Sequence, residues 1–277
     1  MPARCSPPLT LDCEVVQTRS GAQAMRDKLS GELMHPVGPL IESERLYIAA
    51  SRLALRLKCS SAPLVLWDVG LGAASNASRA WLCAEACAAR PLRILSFDRS
   101  LAALQLAVRP EHASAFGLQG SVGEAARGLL EHGRHESAHC AWELRLGELQ
   151  STLRDALPDP ADIVFWDPFS PRANPELWTC AAFALARRGC RPGATLHTYS
   201  GATAVRAALL LAGFAVGVGE FVSPGKYATC AATAVDDLSQ PLTRRWFERL
   251  ARSSAPFPDD APPDALERIE ALPQFAR

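Results

Sequence analysis

The sequence predicts an α/β chain built on a mostly parallel seven-stranded sheet whose last strand runs antiparallel. Three observations carry this expectation. Short runs rich in Val, Ile, Leu, Phe and Trp recur at 64–69, 92–98, 142–146 and 163–166, the pattern of strands buried on both faces. Segments of helical composition separate them and are long enough for crossovers, which makes neighbouring strands parallel. The last two apolar runs, 214–218 and 227–234, are divided only by a short hairpin, so the final strand reverses direction.

Residues 1–24 are weakly periodic and contain Pro and Cys, so they are expected to be ordered only in part. Over 34–57, turn chemistry (His35-Pro36, Gly38-Pro39) gives way to Leu46, Tyr47, Ile48, Leu53, Leu55 and Leu57. This reads as an extended or hairpin segment followed by a helix over 48–57. The strand at 64–69 runs into Gly70-Leu71-Gly72-Ala73-Ala74-Ser75-Asn76, and an Ala-, Leu- and Cys-rich helix follows over 77–89. A second strand over 92–98 ends at Asp98, and a second helix spans 101–108. Residues 113–138 read as helical, with a loop around His132 to His135. The strand at 142–146 ends at Gly147-Glu148, and a short helix over 149–156 leads to the fourth strand. A helix over 175–188 has Pro175 near its first turn, where a missing N–H is harmless. A fifth strand (194–199), a helix (203–212) ending at Gly213, and the last two strands complete the sheet. A helix over 242–251, a Pro- and Asp-rich linker (256–263) and a terminal helix close the chain. The expected division is an amino-terminal extension (1–60) packing on a central domain (61–235), with a helical tail (236–277).

Composition narrows the function. The chain has 277 residues, 48% of them hydrophobic, and a formal net charge of +0, so no global attraction to nucleic acid or anionic lipid follows. Arginine supplies most of the positive charge, with lysine only at Lys28, Lys58 and Lys226. No apolar run reaches the ~20 residues of a membrane span, and the first residues lack a signal-peptide core; the expected location is the cytoplasm. The nine cysteines are read as small buried hydrophobes, Cys83 and Cys87 included. His132, His135 and His139 have helical spacing but polar neighbours and a glycine between them, so no metal site is expected.

Two stretches carry chemistry. The first is Asp68-x-Gly70-x-Gly72, where glycines after a strand allow a sharp turn and close approach of backbone to a ligand. Asp98, at the end of the second strand, lies where an acid can accept both ribose hydroxyls of an adenosine. Gly147-Glu148 adds a third acid at a strand end. The loop lacks an intact Gly-x-Gly-x-x-Gly and a Lys-Ser or Lys-Thr pair. A ligand with adenosine and no pyrophosphate fits best, and S-adenosylmethionine is the common one. The second stretch is Asp162 to Trp178. Its apolar strand ends at Asp167, and Pro168 and Pro171 stiffen the loop that follows. Asp167 either caps the turn or presents a carboxylate at the crevice of the sheet.

The run Asp167-Pro168-Phe169-Ser170-Pro171-Arg172-Ala173-Asn174-Pro175-Glu176-Leu177-Trp178 resembles the signature of the bacterial tRNA 5-methylaminomethyl-2-thiouridine methyltransferases, the methyltransferase half of MnmC and its stand-alone forms. That signature reads Asp-Gly-Phe-(Ala/Ser)-Pro-x-x-Asn-Pro-(Glu/Asp)-(Met/Leu)-Trp. Asp68 to Asn76, Arg191-Pro192-Gly193-Ala194-Thr195, Val205-Arg206 and Ala212-Gly213-Phe214 are similar to further family segments, and the likeness runs from about His35 to Ala234. Two departures stand out: Ala74 replaces the third loop glycine, and the family's Lys-Arg-Glu-Met is reduced to Lys226-Tyr227-Ala228-Thr229.

The resemblance implies a Rossmann-like class I S-adenosylmethionine-dependent methyltransferase acting on the 5-aminomethyl group of a (2-thio)uridine at the tRNA wobble position. It implies Asp167 as the catalytic residue, orienting the amine and stabilising the ammonium that develops. Cofactor contacts are expected from Asp68, Gly70, Gly72, Asn76, Asp98, Gly147 and Glu148. Substrate contacts are expected from Phe169, Pro171, Asn174, Trp178, Ser200 and Lys226, with Tyr199 and Arg206 as further candidates and the tRNA anticodon region as partner. Two alternatives stay open: the same site acting on a small-molecule or protein amine, and a non-catalytic homologue that binds S-adenosylmethionine.

Overall fold

The computed structural model describes residues 13–59, 62–155 and 159–276; the expectation for residues 1–12 lies outside them. The chain opens with a small antiparallel sheet of β1 (Cys13–Gln17), β2 (Gln23–Asp27) and β3 (Leu33–Met34). The helical part then begins earlier than its apolar spacing suggests. α1 (Pro39–Glu42) passes into a π-helical stretch, Ser43–Ala49, and α2 (Leu53–Lys58) follows. Pro39, read as turn chemistry, is instead the first helical residue, where its fixed φ suits a helix start.

The central sheet holds β4 (Leu64–Val69), β5 (Leu92–Asp98), β6 (Arg134–Glu136), β7 (Cys140–Leu146), β8 (Ala161–Trp166), β9 (Cys190–Thr198), β10 (Ala215–Ser223) and β11 (Lys226–Ala232). Their order across the sheet is β10-β11-β9-β8-β4-β5-β7-β6. β7, β5, β4, β8 and β9 are mutually parallel, and β11 is antiparallel to both of its neighbours. The count is therefore eight rather than seven. The extra strand is β6, which pairs antiparallel with β7 through Arg134↔Glu143 and His135↔Trp142. The expected loop at His132–His135 is a helix end and a strand, joined by Gly133 in the left-handed conformation that lets the chain reverse.

The helices between strands are α3 (Ser75–Cys87), α4 (Ala102–Ala107), α5 (Pro110–Ala113), α6 (Gly120–His132), α7 (Leu149–Asp155), α8 (Cys180–Arg188) and α9 (Thr203–Leu211). The expected helix over 175–188 is two pieces, a 3-10 turn at Pro175–Leu177 and α8, because Thr179 caps α8 by accepting from the Ala182 N–H. β9 starts before 194 because Arg191, Pro192 and Gly193 form a bulge opposite Ala161–Ile163, the kind of site where a strand tolerates proline. The helix expected over 242–251 begins later, as α10 (Trp246–Ala251), and α11 (Ala265–Glu270) lies in the tail.

Alternate residues of β4 feed two cores. Leu64 and Leu66 pack with Tyr47, Trp81, Ile94 and Trp142 on one face. Val65, Trp67 and Val69 pack with Phe97, Trp166, Phe183 and Leu209 on the other. Burial on both sides is why the parallel strands read as continuous apolar runs. Met25 and Leu46 of the amino-terminal segment belong to the first core, and Trp246, Ile269 and Phe275 of the tail belong to the second.

Candidate active site

β4 lies between β5 and β8, so the chain leaves β4 toward one edge and returns on its other side through β8. That reversal opens a crevice at the carboxyl ends of the strands, the place where open α/β sheets hold ligands. A cavity of about 470 Å³ occupies it, within the usual range for a small-molecule site. Gly70, Gly72, Asp98, Gly147, Glu148, Asp167, Phe169, Asn174 and Tyr199 all line it. Residues from five strand ends, dispersed over the sequence, thus meet in one space.

The glycine loop is held by its own neighbours. The Gly70 N–H donates to the Phe97 carbonyl at 2.9 Å, and the Gly72 N–H donates to Asp98 Oδ2 at 2.9 Å. Gly70 has φ +90°, and a Cβ there would lie 2.7 Å from the Asp167 carbonyl oxygen. Its lack of a side chain serves the close approach of two strand ends, where the sequence suggested close approach to a ligand. Gly72 does face the cavity, below the Met34 sulfur. Ala74 is also left-handed, with φ +63°, a conformation that costs an L-residue roughly 1–2 kcal/mol. Its methyl is buried in the first core and is no part of the cavity wall. Alanine in place of the third loop glycine therefore puts no methyl into the slot.

The acids differ in setting. Asp98 Oδ2 accepts from Gly72 and Oδ1 accepts from the Ser100 N–H at 3.0 Å. Burial raises its pKa, and these backbone donors oppose the shift. Each oxygen keeps a lone pair, so the fixed carboxylate in the wall can accept ribose hydroxyls. Asp68 lies beneath the loop, buried and outside the lining. Its Oδ2 accepts from Ser96 Oγ at 2.7 Å, and its Oδ1 is buried without a partner. Burial pushes Asp68 up to about 7. Glu148 is an exposed residue of the rim. An adenosine-bearing ligand therefore meets a mostly apolar slot with Asp98 on one wall, which fits S-adenosylmethionine.

Asp167 is the hub on the other side. Its N–H continues the ladder to the Val69 carbonyl at 2.8 Å. Asn76 Nδ2 donates to Oδ2 at 2.6 Å, and His35 Nε2 lies 3.1 Å from the same oxygen. Both side chains of the His35–Asp167 pair are only 11% exposed. Burial alone would lower the His35 pKa, but the Asp167 carboxylate and the more distant Glu42 outweigh it and raise the net value. The Tyr47 phenol, buried beside the same carboxylate, is raised further still by burial and by Asp167. Asn76, expected at the cofactor, braces Asp167 instead.

The remaining expected substrate residues divide. Phe169 and Asn174 line the cavity. Trp178 is buried, donates from Nε1 to the Phe169 carbonyl at 2.7 Å and meets Tyr199 and Phe183 edge-on; it anchors the loop. Pro171 is exposed and outside the lining, and Ser200 is buried outside it, its carbonyl accepting from Thr229 Oγ1. Lys226 is exposed at the β10–β11 turn, away from the cavity lining. Arg206, a candidate for phosphate, is buried and donates to Thr229 Oγ1 and the Ala228 carbonyl, which pins β11 to α9.

The site also contains residues that no local pattern marked. Glu32 accepts from the Ser170 N–H at 3.0 Å and from Ser170 Oγ. Glu32, Met34, His35 and Glu42 line the cavity, so the amino-terminal arm forms one of its walls. The only sequence signal was the His35-Pro36 pair, which reads equally well as a turn. Among the described residues, no group of three or more His, Cys, Asp or Glu is placed to hold a metal, and no helix is long and apolar enough to cross a membrane.

Comparison with known proteins adds a partial family match and a shared fold. Residues 125–233 match a family described as S-adenosyl-L-methionine-dependent methyltransferase. Among solved structures, MnmC2 from Aquifex aeolicus superimposes with a TM-score of 0.74 at 24% identity, covering 96% of this chain and 87% of that one. A more distant likeness is to the SAM-dependent methyltransferase from Agrobacterium tumefaciens, with a TM-score of 0.43, 12% identity, and coverage of 80% and 70%. Residues 125–233 thus match an S-adenosyl-L-methionine-dependent methyltransferase family, and the chain has the fold of MnmC2.

Proposed function

We propose that the enzyme methylates an amine, namely the 5-aminomethyl group of a (2-thio)uridine at the wobble position of tRNA, in the cytoplasm. One observation carries this reading: Asp167, the first residue of the signature-like loop, presents a braced carboxylate to the same cavity that Asp98 lines. When bound, S-adenosylmethionine supplies an electrophilic methyl group on a sulfonium. The roles of the protein groups follow from the chemistry of the acceptor.

A secondary or primary amine attacks only through its neutral lone pair, in line with the methyl. Asp167 can accept an N–H of that amine, orient it, and stabilise the positive charge that develops on nitrogen. Asp98 holds the ribose, with Gly72 and Gly147 giving backbone clearance along the cofactor slot. Phe169 offers a ring to the pyrimidine, and Asn174 lines the cavity beside it. The apolar slot excludes water, which strengthens each of these contacts.

A second reading, a small-molecule or protein amine as acceptor, draws support from the cation inventory. Net charge is +0, and Arg206 is consumed inside the fold rather than offered to phosphate. Ala74 is the one loop departure that would favour a non-catalytic homologue, and its methyl lies in the core. The experiment that decides the acceptor is methyl transfer to undermodified tRNA, paired with mass spectrometry of tRNA nucleosides from cells lacking the protein. Loss of the methylated wobble nucleoside in those cells supports the tRNA reading. Unchanged nucleosides, with no low-salt binding of tRNA, favour the second.

A further inference from the structure

We propose that His35, carried on the amino-terminal arm, is a positioning residue for methyl transfer: with Asn76 it holds one oxygen of Asp167 and so aims the other at the acceptor amine. This rests on Asp167 as the amine-binding group. The geometry is explicit. His35 Nε2 and Asn76 Nδ2 both address Oδ2, at 3.1 and 2.6 Å. The Asn76 hydrogen bond and the His35 ion-pair contact on one oxygen restrict the carboxylate's rotation and leave Oδ1 for the substrate.

The arm is built to deliver this imidazole. His35 has φ +55°, a left-handed conformation that a non-glycine residue adopts at a cost and that concentrates at functional positions. The Gly38 N–H donates to the His35 carbonyl at 3.0 Å, closing the turn. Three residues earlier, Glu32 ties the arm to Ser170, in the same loop as Asp167. His35 and Asp167 are thereby fixed to each other from both sides.

The charge around the imidazole gives the proposal a signature. The groups facing it are Asp167, Glu42 of α1 and Asp68 of β4, all acidic, with the Tyr47 phenol beside the same Asp167 carboxylate. Those acids favour the imidazolium. While His35 is charged, it neutralises Asp167 and weakens that carboxylate's hold on a cationic or developing ammonium. As pH rises and His35 loses its proton at Nδ1, Asp167 regains its full charge toward the amine. Turnover should therefore rise with pH through the His35 titration.

The test has two arms on the full chain. In the first, the His35 ring is titrated by NMR in the wild type and in Asp167→Asn, with His35→Gln identifying its signals; this readout needs no substrate. The expected result is a pKa above that of ordinary histidine in the wild type that drops in Asp167→Asn, whereas the same titration in both would overturn the pairing. In the second, methyl transfer to undermodified tRNA is measured against pH. His35→Ala should lose roughly 10- to 100-fold in kcat, with cofactor affinity unchanged. His35→Gln, which keeps a donor but cannot titrate, should recover most of the rate and lose the rise centred on the ring's own pKa, as read in the NMR titration, leaving only the rise set by the acceptor amine. Wild-type turnover in His35→Ala, or a rise at the ring's pKa retained in His35→Gln, would overturn the proposal. A wild-type enzyme inert toward tRNA would instead sink the substrate reading, and the ring titration would still decide the pairing.

Discussion

Asn76 Nδ2 donates to Asp167 Oδ2 across 2.6 Å, a bond that ties the start of the helix after the glycine loop to the loop after β8. The glycine-loop side of the crevice and the Asp167 side are therefore tied together. Asp167→Ala should keep cofactor affinity and lose turnover. Asn76→Ala should do the same more mildly, by roughly 10- to 150-fold in kcat for one hydrogen bond to a charged group. Single-turnover methyl transfer beside calorimetry with S-adenosylmethionine checks both. A weakened cofactor with unchanged chemistry would return Asn76 to the cofactor site.

Asp98 predicts the opposite split. Asp98→Ala removes the acceptor that Gly72 and Ser100 hold in the cavity wall, and cofactor binding should weaken by roughly 1–3 kcal/mol. The rate at saturating cofactor should change far less. An unaltered dissociation constant would argue against an adenosine in this slot.

Two substitutions in one loop separate backbone demand from ligand demand. Gly70→Ala sets a methyl 2.7 Å from the Asp167 carbonyl oxygen at φ +90°, and unfolding free energy should fall by about 2 kcal/mol or more. Ala74→Gly relieves a left-handed alanine but loses a buried methyl, worth about 0.8 kcal/mol. Stability should move by less than about 1 kcal/mol, and the dissociation constant of S-adenosylmethionine should stay the same. A tighter complex in Ala74→Gly would show that the methyl reaches the cofactor after all.

Stability should hold two opposing pH slopes. Asp68 is raised from 3.8 to about 7, so between those values the folded state binds more protons than the unfolded one. Its contribution is present at low pH and is lost as pH rises through 7, on the order of 4 kcal/mol. His197 is lowered from 6.5 to about 3 by burial and by Arg56, and its contribution grows with pH over that window by a similar amount. The slopes oppose each other in the wild type. Asp68→Asn removes one of them, so the variant's stability relative to wild type should grow by a few kcal/mol from pH 4 to 7 in urea unfolding without cofactor. A difference independent of pH would contradict the burial argument.

The sheet was legible because each parallel strand is buried on both faces and so has a plain apolar run, as in Leu64–Val69 and Leu92–Asp98. β6 was not legible. Arg134, His135 and Glu136 are polar, and the strand exists only because β7 offers an open edge. The crevice acids Asp98 and Asp167 were legible from their place at strand ends, a local signal. Asp68 was legible as an acid but not as a buried one. Arg206 misled because an arginine's sequence does not say whether its guanidinium meets solvent or, as here, a threonine and two carbonyls. Glu32 and His35 were invisible, since the partners that define them lie in a loop more than a hundred positions away.

That separation has a consequence for biosynthesis. Glu32 waits for Ser170, which is 138 positions later in the chain. At 5–20 residues per second, roughly 7 to 28 s pass between the synthesis of Glu32 and that of Ser170. During that interval Met25 and Leu46, which end in the first core, have no complete core to enter. The wall that Glu32 and His35 give the cavity can therefore close only after the loop at Asp167–Ser170 has been made.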